Sequence, residues 1–89
     1  MEQALILGKL AYSFPRDIIG TLMKISGVCD ANLIYGPYDF YVVANTKTKE
    51  ALSDLVMKIR STKGVTDTVT SYVVSMSDIR PEPKGPLAE

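Results

Sequence analysis

Histidine is absent from this 89-residue chain, and cysteine occurs once, as Cys29. A single cysteine excludes an intrachain disulfide, and without histidine a structural zinc site lacks its ligands, so neither metal nor cofactor is expected. The missing imidazole also removes the usual general base near neutral pH, and nothing activates the Cys29 thiol, which is expected to be a small buried hydrophobe. An excess of one charge sign is missing too: ten basic and ten acidic residues cancel to a formal net charge of zero. Nucleic-acid modules draw affinity from phosphate contact by a basic face, so no direct nucleic-acid contact is expected. No apolar run approaches the roughly 20 residues that cross a bilayer. Met1-Glu2-Gln3 is not the basic opening of a signal peptide. The setting expected is soluble and cytoplasmic, with no membrane partner.

What remains is enough for one small domain. Chains of this size bury only about 60% of the surface exposed when unfolded, and disulfides, metals or self-association usually compensate. The first two are excluded, so self-association is expected.

Residues 4–12 are apolar on both alternating faces, the pattern of a strand covered on both sides. Pro15 and Asp17 suit a first helical turn, and Ile18, Leu22 and Ile25 recur at helical spacing up to a capping Gly27. Val28 to Tyr35 and Phe40 to Ala44 are β-rich runs joined by Gly36-Pro37-Tyr38-Asp39, a hairpin signal. Thr48 is placed to cap a second helix with Glu50 in its first turn. Leu52, Leu55, Val56 and Ile59 form its apolar stripe, Lys58, Arg60 and Lys63 suit its end, and Gly64 closes it. Val65 to Met76 reads as a last strand, so residues 1–76 form the domain. Residues 77–89, with Pro81, Pro83 and Pro86, form a polar tail, either disordered or an arm laid on a neighbour.

The order is strand, helix, strand, strand, helix, strand. Met23-Lys24-Ile25 leading to Gly27-Val28 is echoed by Met57-Lys58-Ile59 leading to Gly64-Val65, a sign of two related halves. Two interleaved right-handed βαβ units give an α+β, ferredoxin-like βαββαβ fold: one antiparallel four-stranded sheet with two helices on one face. Phe40, Val42 and Ala44 then face opposite to Tyr41 and Val43, so neither face reads as clean solvent. The helix-free face is expected to meet a partner sheet.

An RNA-recognition reading of the same order fails at its third strand. Aligning Phe40 with the central stacking aromatic puts Gly36 where a base-contacting module needs a basic residue. Asp39 then falls on a small-residue position and Val43 on the last aromatic. The hairpin and Thr68-Val69-Thr70 offer different chemistry. Turn N–H groups and two hydroxyls on one strand face can donate to a carboxylate, and Asp39 can accept from an ammonium, which together are the needs of a free amino acid. A routine turn with threonines chosen for β propensity fits the same residues.

Gly27-Val28, Gly36-Pro37-Tyr38-Asp39, and Gly64-Val65-Thr66-Asp67-Thr68-Val69-Thr70 followed by Tyr72-Val73-Val74 resemble the ligand-sensing (RAM) domain of the Lrp/AsnC transcriptional regulators, over about Ala4 to Ser75. The resemblance implies the same fold, dimers joined through their sheets in the manner of dimeric α/β barrels, and dimers assembled to octamers or decamers. It implies an amino-acid effector bound between dimers by the hairpin residues Gly36, Tyr38 and Asp39 and the polar pair Thr68 and Thr70, with Tyr35 lining the pocket. Full-length members open with a helix-turn-helix, and this chain begins three residues before its first strand. It is therefore expected to act as a sensor without its own DNA-binding domain, alone or co-assembled with full-length regulators, and not as an enzyme. Competing readings are a purely structural assembly module, a small enzyme of the dimeric α/β-barrel or GYD type, and an ACT-like sensor.

Overall fold

The computed structural model describes residues 1–74. Its order is β1 (Glu2–Leu10), α1 (Ile18–Met23), β2 (Val28–Leu33), β3 (Phe40–Thr46), α2 (Lys49–Arg60) and β4 (Val65–Tyr72). The four strands form one sheet in the order β2-β3-β1-β4, every neighbouring pair antiparallel. This is the ferredoxin-like βαββαβ arrangement expected. Strand β4 ends at Tyr72, short of the expected Met76: Val73 and Val74 lie past it, and residues 75–89, the tail included, lie outside the described residues.

Alternation along the central strands explains the layering, because successive side chains leave a strand on opposite faces. Ala4 and Ile6 of β1 and Phe40, Val42 and Ala44 of β3 point to the helices and are buried. Ile18 and Leu22 of α1 and Leu52, Leu55 and Ile59 of α2 complete that core. Thr48 caps α2, its hydroxyl oxygen accepting from the Ala51 N–H at 3.1 Å. Leu52, Leu55 and Ile59, at i, i+3 and i+7, then fall on one face.

The two halves match in detail. Each helix ends four residues before a glycine of positive φ, Gly27 (96°) and Gly64 (100°). In each, the strand that follows is entered through one tight turn: Val28 N–H to the Ile25 carbonyl and Val65 N–H to the Thr62 carbonyl, both 3.1 Å. The carbonyls of the two glycines then accept from the ends of the opposite strands, Gly27 from Asn45 and Gly64 from Ala11, both at 2.8 Å. The expected helical caps at Gly27 and Gly64 are thereby corrected: α2 stops at Arg60, and Lys63 and Gly64 belong to the turn after it. Helix α1 stops at Met23, and Gly27 closes the turn after it, where only a residue without Cβ fits beside Leu55 and Thr46. Ile25 lies beyond the helix and still packs against the core.

A second correction concerns Cys29. It is exposed, because the β2–β3 register shifts between Val28 and Asp30 and leaves Cys29 in the irregularity.

Candidate functional site

Five of the six residues singled out by sequence lie toward one end of the sheet, where β1 finishes, β3 begins and β4 begins, and the sixth, Thr70, stands opposite Ile6 at the middle of β1. Gly8 is the reference point. It pairs with Phe40 on one side and Thr68 on the other. Because Gly8 has no side chain, the outer carbons of the Phe40 ring occupy the space that a Cβ there would fill. The start of β3 and Thr68 are thus level with each other, with a buried aromatic ring across the strand between them, and Thr70 lies one pair further along that face, opposite Ile6.

On the hairpin side, Asp39 is a fixed point. Its backbone N–H donates to the Gly8 carbonyl at 2.7 Å, and its carbonyl accepts from Ile34 at 2.9 Å, closing the loop 34–39. Carboxylate Oδ2 accepts from the Leu10 N–H at 2.8 Å. The β1–β3 pairing stops at Gly8 and Phe40, so Leu10 has no partner residue on β3, and the carboxylate supplies an acceptor for its N–H. One end of Asp39 therefore serves the fold. Beside it, the Lys9 ammonium lies over the Tyr38 ring, 5.8 Å from its centroid. Gly36 has nothing within 4 Å of where a Cβ would stand, and Tyr35 is fully exposed.

Asp39 borders an open cleft of about 440 Å³ lined by Leu10, Ala11, Tyr12, Phe14, Leu33 and Ile34. A second cleft of about 400 Å³, walled by Tyr12, Phe14, Leu33 and Arg16, adjoins it through the three side chains they share. Leu33, Ile34 and Tyr12 are exposed here, a concentration of apolar surface that the hairpin motif did not announce. The cue was Tyr12-Ser13-Phe14-Pro15, aromatic residues in what reads as a connection.

Thr68 and Thr70 do share a face, as expected, and it is the helix side of β4, opposite Gly8 and Ile6. Both are half-buried. Thr68 borders a small cleft of about 130 Å³ with Arg60, Val65, Thr66 and Asp67. Within one chain, then, the sequence-derived residues form two groups, four on the hairpin and two on β4. A larger cleft of about 580 Å³ lies at the far end of the sheet, between α2 and the end of β4, lined by Glu2, Lys49, Leu52, Ser53, Tyr72, Val73 and Val74.

The other face of the sheet carries Leu5, Leu7, Val43 and Val69 at its centre, three of them 38–42% exposed. Near its edge the Tyr41 hydroxyl donates to Asp30 Oδ2 at 2.8 Å. That hydrogen bond, with smaller contributions from desolvation and the carboxylate charge, raises the tyrosine pKa above its ordinary value. The Asn45 side-chain oxygen is buried without a hydrogen-bond partner.

Among the described residues no cluster of three potential metal ligands occurs, and no helix is long and apolar enough to cross a membrane.

A family model described as the Lrp/AsnC ligand binding domain matches residues 10–83, which include the hairpin and β4. Among solved structures, a hypothetical protein of Pyrococcus horikoshii superposes with TM-score 0.76 at 29% identity, over 84% of this chain and 92% of that one. A Thermus thermophilus protein does so with TM-score 0.76 at 25% identity, over 94% of this chain and all of that one. A Neisseria meningitidis transcriptional regulator in complex with L-Met shares the fold, with TM-score 0.71 at 22% identity, over 96% of this chain and 56% of that one. No curated protein sequence gives a significant match.

Proposed function

Because the chain belongs to the Lrp/AsnC ligand-binding domain family, we propose that it is a regulatory sensing and assembly domain whose effector is an amino acid bound between copies. The observation that carries this reading is the Asp39 carboxylate, pinned through one oxygen to Leu10 at the rim of an apolar cleft. Its other oxygen is available to an ammonium group, and the fixed backbone holds it in place before the ligand arrives. The side chain of the amino acid then lies against Leu10, Phe14, Leu33 and Ile34, and the hairpin at Tyr35, Gly36 and Tyr38 closes over it.

The ligand carboxylate needs donors that the Asp39 cleft does not supply. Thr68 and Thr70 have the right hydroxyls but lie beyond Phe40 in the same chain. The reading is therefore a composite site, with the hairpin from one copy and the threonine pair from another. Pairing of copies through the Leu5, Leu7, Val43 and Val69 face makes the dimer, and dimers assemble into octameric or decameric rings, alone or with full-length regulators. A ligand alters such an assembly only by preferring one arrangement, and coupling of about 1–3 kcal/mol is usual. The L-Met bound by the Neisseria meningitidis relative supports an amino acid as the ligand class.

A purely structural assembly module is the second reading, favoured by one observation: the Asp39–Leu10 hydrogen bond gives Asp39 a role in the fold without any ligand. Native mass spectrometry with and without a pool of the twenty amino acids separates the two. A ring of dimers gaining one small-molecule mass per subunit supports sensing. Assemblies that gain nothing leave the structural module, and a monomer removes both.

A further inference from the structure

The two adjoining clefts at the hairpin end form one groove with an ordered set of charges. Arg16 stands at one end, Tyr12, Phe14 and Leu33 line the middle, and Asp39 stands at the other end. A segment complementary to it carries an acidic residue, a branched apolar residue and a basic residue in succession. The chain itself contains such a segment after β4: Asp78-Ile79-Arg80, followed by Pro81.

Reach decides whose groove it is. Strand β4 runs away from the groove: Val65 pairs with Leu10 beside it, and Tyr72 pairs with Ala4 at the far end. The six steps from Ala4 to Leu10 span about 20 Å, and Leu33 lies three strand spacings across, about 14 Å. The chain is already two residues past Tyr72 at Val74, and from there to Ile79 it extends at most about 18 Å. A copy cannot place its own Ile79 in its own groove.

We infer that the Asp78-Ile79-Arg80 segment of one copy docks in the Tyr12–Phe14–Leu33 groove of another, with Asp78 against Arg16 and Arg80 against Asp39. Each copy then offers one arm and one groove, the heterologous contact that links copies into rings. The contact does not require an effector. Where one is bound at Asp39, arm and ligand compete for the same carboxylate, so ligand binding weakens the linkage.

Site-directed cross-linking of the full chain tests this. In a Cys29→Ser background, Tyr12→Cys and Ile79→Cys are combined, and the protein is oxidised mildly. The expected product is a set of covalently linked species of two or more chains, forming faster than in a control pairing Asp54→Cys with Ile79→Cys. Adding Arg16→Glu slows the linkage about two- to fivefold, the effect of an exposed ion pair, and adding Asp78→Lys to that variant restores it. Bridges formed within single chains, linkage no faster than the control, or linkage indifferent to Arg16→Glu each overturn the inference. Native mass spectra of the same variants without amino acid keep this outcome separate from that of effector binding.

Discussion

The two faces of the sheet are built from the same strands, one residue out of step, with nearly the same apolar content. On the helix side Ala4, Ile6, Phe40, Val42 and Ala44 are at most 1% exposed. On the other side Leu5, Val43 and Val69 keep 38–42% of their surface in water. Aliphatic residues do not distinguish a core from an interface; what lies above them does. The first face is closed by this chain's own helices; none of the described residues covers the second, and in the proposed assembly another copy does, adding burial that a domain this small lacks by itself.

The largest expected effect lies on the closed face. Phe40→Ala empties the space over Gly8 and should cost about 3–5 kcal/mol, read as a lower denaturation midpoint with loss of folded protein near ambient temperature. If Phe40→Ala is tolerated within about 1 kcal/mol, far below the usual cost of such a cavity, the two faces are not as different as their exposures imply. Val43→Lys is the counterpart on the open face. It should leave the circular dichroism of the subunit unchanged while weakening the dimer by about tenfold or more in sedimentation, because an unpaired charge buried between sheets costs several kcal/mol. Unchanged association would leave the open face without a partner.

Asp39 sharpens the comparison at the sheet's end, where fold and proposed ligand meet. Asp39→Ala removes the acceptor of Leu10 and should cost about 1–2 kcal/mol of stability, together with the affinity for any amino acid. Asp39→Asn keeps an acceptor and should recover most of the stability, but not the affinity. Full affinity in Asp39→Ala would remove the assigned site. Thr48→Ala takes away the cap of α2, for about 1 kcal/mol, with no effect on association.

The smallest effect is that of pH. The raised pKa of Tyr41 means the folded state holds that proton more tightly, so its contribution is complete below the ordinary tyrosine pKa of about 10. It is lost as pH rises through the higher folded value. A titration of stability from about pH 8 to about pH 11, spanning the ordinary tyrosine range, should show Tyr41→Phe lacking that part of the alkaline decline. Identical curves would remove the role of the Asp30 hydrogen bond.

Helix α2 was legible from its Thr48 cap through its stripe to Lys58 and Arg60, local signals within one helix, while Lys63 and Gly64 fall in the turn after it. Helix α1 was read too long. It has only Ile18–Met23 to form on, and the turn at Ile25–Val28 competes with helical continuation. The hairpin was located by Gly36 and Asp39, yet its Asp39–Leu10 bond joins residues 29 apart and leaves no pattern in either segment. Cys29 was misplaced for a related reason: its inward or outward direction depends on a register shift in β2, and one residue of slip reverses every side chain beyond it.

By itself, then, the sequence determined the order of elements, the apolar faces, and the lack of histidine, of a cysteine pair and of a basic excess, because these rest on spacing and composition within short windows. Tertiary structure alone decided that Phe40 lies over Gly8, that Asp39 holds Leu10, and that Thr68 and Thr70 stand on the far side of that ring from the hairpin. Those facts come from strands paired across the whole chain, where sheet order brings distant residues level and a single irregularity sets which way each one points.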